Sequence, residues 1–406
     1  MGMSSLFHNI MVSYKTFFKL LWLTFFKSRN TQARLTVKRF FIMAAFFPVL
    51  FVVQTMHWIG FVLDEIFFPK YKSVEIRSPL FIVGVPRSGT TFLHRVLAND
   101  SERFTTMCLW ELILAPSVTE RRFWLALARL DGWVGAPFAK LLEWGERHAF
   151  RGFDSIHRIS LSDPEEDYFL LVPVYACLIL ILPFPFFEEL GSLASFDDSF
   201  TEKDKNRIMT FYRSCLQRHL YVRGSGKIFF SKNVSFSPMI GSLIRHFPDC
   251  RIIGTVRNPM DAVPSHISSM MAGAKVFDND TREEEFRDQL MEIQQYAYAN
   301  IPEKLSLLPE SRHMIVKMED LQATLQRVVH SIYERFGFRM SPAFKTFIQS
   351  RDERQRRYKS VHSYDPASFG LTAEMIYSWF SDAFERFSYP APFETGDQIQ
   401  EKKEET

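Results

Sequence analysis

Apolar positions recur at three- and four-residue steps near the start of the chain: Phe7, Met11, Tyr14, Phe18, Leu21 and Phe25, accompanied by Lys15, Lys19 and Lys27. That period, with its basic and aromatic character, predicts an amphipathic helix of the kind that lies in a membrane interface. From Phe40 to Leu63 the pattern becomes 24 largely apolar residues, bracketed by Lys38–Arg39 and Asp64–Glu65. A helix rising ~1.5 Å per residue over that run reaches the ~30 Å of a bilayer core. Pro48, Gln54 and His57 interrupt it, so two arrangements stay open. One is a true span, with Lys38 and Arg39 setting a cytoplasmic N-terminus. The other is a hairpin or surface-lying helix packed against the rest of the chain. A second apolar run, Leu170 to Phe187, contains Pro173, Pro183 and Pro185. Three prolines argue against a membrane helix there and for a buried helix or a pocket wall.

Further along, four short apolar runs read as strands: Leu80–Val85, Ile228–Ser231, Arg251–Val256 and His313–Lys317. Runs that are apolar on both faces suit a buried parallel sheet. Helical stretches separate them, at roughly Glu202–Tyr221, Pro238–His246, Arg282–Ile301 and Leu321–Phe336. The alternation predicts an α/β fold, a mainly parallel P-loop-type sheet flanked by helices, preceded by a hydrophobic and amphipathic helical membrane segment. No internal repeat or Gly/Ser-rich linker divides the chain. The expected organisation is membrane-associated helices over 1–70, one catalytic domain over 71–390, and a disordered polar tail over 391–406.

Composition and charge change this picture in four ways. Phenylalanine is in excess, 42 of 406 residues, which points to lipid contact or an unusually aromatic core. The net charge is only +3, so nothing calls for nucleic acid as a partner. The four cysteines, Cys108, Cys177, Cys215 and Cys250, are widely spaced and form no C-x-x-C pair, which argues against a zinc site. No metal is expected. Charge is also unevenly placed: Met1 to Leu63 holds seven Lys/Arg and no acid. The apolar run starts too late and is too long for a cleaved signal peptide.

The most specific segment is Gly84-Val85-Pro86-Arg87-Ser88-Gly89-Thr90-Thr91, between a predicted strand and a predicted helix. Its glycine spacing is that of a phosphate-binding loop. Thr90 stands where a nucleotide triphosphatase has lysine, the group that reaches the β- and γ-phosphates. A nucleotide carrying a 5′-phosphate-like group therefore fits better than ATP. Backbone N–H groups from Ser88 to Thr91 would open the helix onto the anion, with Arg87 adding charge. A second unit follows at Arg257–Ser265, where a strand ends at Arg257, Asn258-Pro259 turns, and a helix carries Ser265. Arg257 and Ser265 could reach one phosphate.

These two units, PRSGTT at Pro86–Thr91 and RNPMDAVPS at Arg257–Ser265, make the chain resemble the sulfotransferases that use 3′-phosphoadenosine-5′-phosphosulfate (PAPS), among bacterial-type and tyrosylprotein-type members. The likeness runs over most of Tyr71 to Tyr389, through blocks at Leu109–Glu111, Asp163–Asp167, Ser231–Asn233, Lys317–Leu321 and His362–Tyr364. It implies that Arg87, Ser88, Gly89, Thr90 and Thr91 hold the 5′-phosphosulfate and that Arg257 and Ser265 hold the 3′-phosphate. Lys232 corresponds to the lysine near the bridging oxygen, and Glu111 falls where related enzymes place a glutamate base. Lys359, in a late basic run, would be a further 3′-phosphate contact. Asn258 departs from the charged residue or histidine many relatives carry there.

The implied reaction moves a sulfuryl group from PAPS to a hydroxyl on a lipid, sterol, glycan or other membrane-presented group, without metal. Rival bases are Glu165, Glu166, Asp167 and His157, while an acidic run after Pro164 is also an ordinary helix start. A P-loop kinase or nucleotidase, and an inactive membrane scaffold, stay open as alternatives. The protein is expected at a membrane, either facing a Golgi-type lumen or on the cytoplasmic surface; oligomeric state is not readable.

Overall fold

The computed structural model describes residues 1–137, 140, 160–224, 226–279, 283–357 and 366–392. Two long helices come first, α1 (Met3–Trp22) and α2 (Val37–Phe67). Strands and helices then alternate as β1 (Leu80–Gly84), α3 (Thr90–Leu97), β2 (Phe104–Thr105), α4 (Leu109–Ile113), α5 (Val118–Trp133), α6 (Glu202–Arg223), β3 (Ile228–Lys232), β4 (Arg251–Val256), α7 (Pro259–Val276), α8 (Glu283–Leu305) and β5 (His313–Lys317), with shorter turns between. The strands form one parallel sheet in the order β2-β3-β1-β4-β5. β1 is central and buried along its length, paired with β3 from Leu80↔Phe230 and with β4 from Leu80↔Arg251 to Gly84↔Thr255. Burial on both faces is why its sequence is continuously apolar. The order reverses around β1, so a crevice opens at the carboxyl ends of β1, β3 and β4.

The expected α/β fold with its parallel sheet is present, and the four predicted strands appear within a residue or so of their predicted ends. β2, two residues beside β3, is too short for any apolar run to announce. The predicted helix over Leu321–Phe336 is broken into Met318–Ala323 and Leu325–Arg335. Thr324 adopts φ −147° at the break, and the Gln326 N–H bonds the Asp352 carboxylate at 3.1 Å instead of a preceding carbonyl. The apolar run with three prolines forms two 3-10 turns, Asp167–Val174 and Leu178–Ile181. His157, Lys359, the His362–Tyr364 block and the tail from 393 onward lie outside the described residues.

α1 and α2 form an antiparallel hairpin: Tyr14 hydrogen-bonds Thr55 at 2.7 Å near the middle, and Phe25 meets Phe40, ring centroids 5.8 Å apart, at the turn. The hairpin shares its core with the sheet. Leu6, Phe17, Phe47, Trp58 and Phe61 belong to the same buried cluster as Phe81 and Val83 of β1. Five polar residues of α2, Arg39, Gln54, His57, Asp64 and Glu65, are buried against the body. Arg39 donates to the carbonyls of Phe277 at 2.8 Å and Pro183 at 2.9 Å. Gln54 donates to Pro173 O at 3.1 Å, and His57 meets Glu120 at 2.7 Å. Asp64 accepts from the N–H groups of Val118 and Thr119, both at 2.8 Å, and from Arg218 at 2.8 Å. Gln54 and His57, two of the residues that interrupt the apolar run, thus serve to fasten it to the body.

Candidate active site

The loop after β1 turns sharply into α3. Gly89 takes φ +83°, and a Cβ there would collide with Met318 Sδ. Arg87, which has a Cβ, also sits at φ +69°, a conformation that costs roughly 1–2 kcal/mol outside glycine. Tertiary contacts hold it: Arg87 Nε donates to Ser265 Oγ at 2.9 Å, and Arg257 Nη1 donates to the Arg87 carbonyl at 3.4 Å. The two anion motifs read from the sequence therefore meet. In α3 the first intrahelical bond runs from Leu93 N–H to Gly89 O at 3.0 Å, and no side chain caps the end. The N–H groups of Thr90, Thr91 and Phe92 are left for an anion, where the helix dipole also favours one.

Ser88 is turned inward. Its hydroxyl bonds Val85 O and Thr255 Oγ1, both at 2.6 Å, and its N–H bonds Val85 O at 3.2 Å. It braces the loop and does not line the cleft, whereas Arg87, Gly89, Thr90 and Thr91 do. Ser265, only 1% exposed, reaches the site through Arg87.

The charge missing at Thr90 arrives from β3. Lys232 Nζ stands 3.1 Å from Thr91 Oγ1 and 2.6 Å from Glu166 Oε1, with Glu165 Oε1 at 3.6 Å. Glu166 lines the cleft. Burial raises its carboxyl above the ordinary range; Lys232 opposes the shift and Glu165 adds to it. The acidic block is pinned from behind: Glu165 N–H bonds Met107 O at 3.1 Å, and Leu109 N–H bonds Asp163 O at 3.1 Å. Asp167 points away from the cleft. It accepts from Ser231 Oγ at 2.8 Å and from Tyr212, and burial pushes its carboxyl up to about 7.

At the end of β4, Arg257 lines the cleft and is 3.6 Å from Asp261. Tyr298 donates to the Arg257 carbonyl at 2.5 Å, and Asn258 N–H donates to Glu319 at 3.0 Å, which fixes the strand end. His266 also lines the cleft, with Nδ1 lacking a partner. Burial, then the nearby Arg87, lowers its pKa to about 3, so it is neutral. The cleft holds about 730 Å³, a size suited to a nucleotide and part of a second ligand. One end carries the basic and hydroxyl groups; the other is walled by Leu178, Ile179, Ile181, Met270, Leu290 and Ile293.

Glu111, the base expected from the resemblance, is not brought to the cleft. It is fully buried at the third position of α4, accepts from the Cys108 N–H at 2.9 Å, and takes two bonds from Arg223 at 2.9 and 2.7 Å. It caps a helix, pairs with the exposed Arg223 and stands 3.8 Å from the buried Arg121. His94, also buried, bonds Thr106 at 2.9 Å and packs on Phe230. Sequence reading missed the cleft-lining Arg95 and Arg351. Arg95 lies four residues, about one helical turn, beyond Thr91, a spacing that could have shown it; no comparable signal marks Arg351.

The family model described as Sulfotransferase family matches residues 79–342. The omega-hydroxy-beta-dihydromenaquinone-9 sulfotransferase of Mycobacterium tuberculosis is 25% identical over 327 residues, covering 77% of this chain and 75% of its own. Two crystal structures share the fold. Sulfotransferase STF9 from Mycobacterium avium superposes with a TM-score of 0.67 at 16% identity, covering 84% of each chain. Sulfotransferase STF1 from Mycobacterium tuberculosis superposes with a TM-score of 0.66 at 19% identity, covering 90% of this chain and 92% of its own.

Proposed function

The chain belongs to the sulfotransferase family, and we propose that it moves a sulfuryl group from PAPS to a hydroxyl carried on a long apolar molecule, with Glu166 as the base. The observation that carries this reading is the Thr91–Lys232–Glu166 cluster, with bonds of 3.1 and 2.6 Å, at the uncapped start of α3, where Thr91 and Glu166 line the same cleft as its apolar residues. Arg87, Gly89, Thr90 and Thr91 would hold the 5′-phosphosulfate. Arg257 would hold the 3′-phosphate, with Ser265 aiming Arg87 beside it.

In the reaction, Glu166 takes the acceptor's hydroxyl proton as the acceptor oxygen bonds to sulfur. The bond from sulfur to the bridging phosphate oxygen breaks, and its electron pair stays on that oxygen. Lys232 and the N-terminus of α3 supply the positive charge that oxygen then needs. The raised pKa suits Glu166 to the proton transfer. Glu111, held by Arg223, would contribute only through stability. The six apolar residues at the far end of the cleft favour a hydrocarbon-bearing acceptor, a class to which the omega-hydroxylated menaquinone in the mycobacterial relative's name belongs.

The test is calorimetric titration with 3′,5′-adenosine bisphosphate, without metal, of the native protein beside Arg257→Ala. This is followed by mass spectrometry of hydroxylated lipids incubated with enzyme and PAPS. Micromolar binding lost in the variant, and a sulfated lipid, support the reading. Binding only of ATP with Mg²⁺ would overturn it in favour of a kinase.

A further inference from the structure

The N-terminal hairpin is built inside out. On α1 the buried stripe is Leu6, Asn9, Ser13, Phe17 and Leu20, two of them polar. Its outward face carries Phe7, Met11, Phe18 and Trp22, each more than half exposed. α2 repeats the arrangement: Arg39, Gln54, His57 and Asp64 face the body, while Phe41, Val52, Ile59 and Phe67 are 68, 55, 54 and 66% exposed. Fifteen of the 23 exposed large apolar side chains among the described residues lie between Phe7 and Phe67. A contiguous apolar surface of this kind is not stable against water and marks an interaction site.

Charge says what covers it. The hairpin and its turn expose Lys15, Lys27, Arg29 and Arg34, and no acid occurs before Asp64. A second copy meeting this face would oppose like charges, whereas an anionic lipid headgroup layer complements them. Fastening says how it is covered. α2 is ~46 Å long at 31 residues and is long and apolar enough to cross a bilayer, yet it is tied to the body at both ends. Arg39 holds the Pro183 and Phe277 carbonyls; Asp64 holds Arg218 and the start of α5. Between those ends Gln54 holds the Pro173 carbonyl and His57 meets Glu120, so a crossing helix would draw buried polar groups and their irregular backbone partners into hydrocarbon, at a cost of several kcal/mol each.

We infer that α1 and α2 lie flat in one leaflet of an anionic membrane and do not cross it. The same helix steadies the acceptor end of the cleft, because Pro183 and Phe184, which pack on Arg39 and Phe47, follow the wall residues Leu178, Ile179 and Ile181 after one intervening residue. The inference does not depend on the reaction proposed above, and its test uses neither donor nor acceptor.

The purified full chain is floated with phosphatidylcholine vesicles, with and without phosphatidylglycerol, in low and high salt. Tight, salt-sensitive binding to the anionic vesicles is expected. Lys15→Gln with Lys27→Gln should weaken it about thirtyfold, from ~1 kcal/mol per basic residue. Phe41→Asp with Val52→Asp should abolish it while leaving nucleotide binding intact, which certifies the fold. A chain that dimerises in solution and ignores vesicles would overturn the inference. Sidedness is read in membrane vesicles from cells producing Arg29→Cys, at the hairpin turn, or Lys227→Cys, on the body. An impermeant thiol reagent should reach both from the same side; labelling from opposite sides would establish a crossing and sink the proposal.

Discussion

The two ends of the cleft are made in different ways. The anion end comes from two contiguous stretches, Pro86–Thr91 and Arg257–Ser265, each a strand-end turn feeding a helix, joined by the 2.9 Å bond from Arg87 to Ser265. The apolar end is assembled from 3-10 turns at Leu178–Ile181 and from faces of α7 and α8, far apart in the chain. Phosphate geometry is fixed, so a short motif with set backbone directions can satisfy it. A hydrocarbon asks only for volume and apolar surface, which many combinations of side chains supply. The Lys232–Glu166 pair joins two further elements, and Glu166 lines the cleft with both kinds of residue.

The comparison implies that changes at the anion end affect every acceptor alike, while changes at the apolar end alter acceptor choice alone. The largest effect belongs to the junction. Glu166→Gln should lower kcat by ~10²–10⁴-fold for any acceptor, with 3′,5′-adenosine bisphosphate affinity nearly unchanged by calorimetry. Arg257→Ala removes a charged partner worth ~1.5–3 kcal/mol, so nucleotide binding should weaken by about ten- to a hundredfold, equally for all acceptors in steady-state assays. Ile179→Ala should cost ~10-fold in kcat/KM for long-chain alcohols and little for short ones; equal losses on both would break the distinction. Smaller still is a pH effect. A base with a raised pKa places the acid limb of kcat/KM above the ordinary carboxylate range, activity falling as pH drops through it. Because Glu165 helps raise Glu166, Glu165→Gln should move that limb to lower pH. Smallest is Glu111→Gln: kcat should stay within ~10-fold, short of losing a general base, while thermal unfolding shows the loss at Arg223.

The same division explains what could be read beforehand. Strands such as LFIVG were legible because burial on both faces leaves no polar position, and the anion motifs because their residues are sequence neighbours. Glu166 was one candidate among several, since an acidic run after proline equally starts a helix; what sets it apart is its bond to Lys232, 66 residues away in the chain. Glu111 illustrates the reverse. Its place in the sequence fitted a base, but Arg223, 112 residues on, claims its carboxylate. In α1 the three- and four-residue period was visible, yet periodicity alone does not say which stripe turns inward. There Asn9 and Ser13 are buried and Phe7 and Met11 are not.

The bonding of Asp64 to Arg218 and α5 bears on modularity. Many membrane-bound enzymes carry a detachable anchor, and trimming it yields a soluble catalytic core. Here the first helices donate Phe47, Trp58 and Phe61 to the interior that also holds β1. Cutting before β1 would strand Arg218 as an unpaired buried cation and open the centre of the molecule. The N-terminal helices and the sheet are one folding unit, so a form with a polar exterior has to be sought by recolouring the outer faces of α1 and α2 with polar residues, leaving the chain its full length.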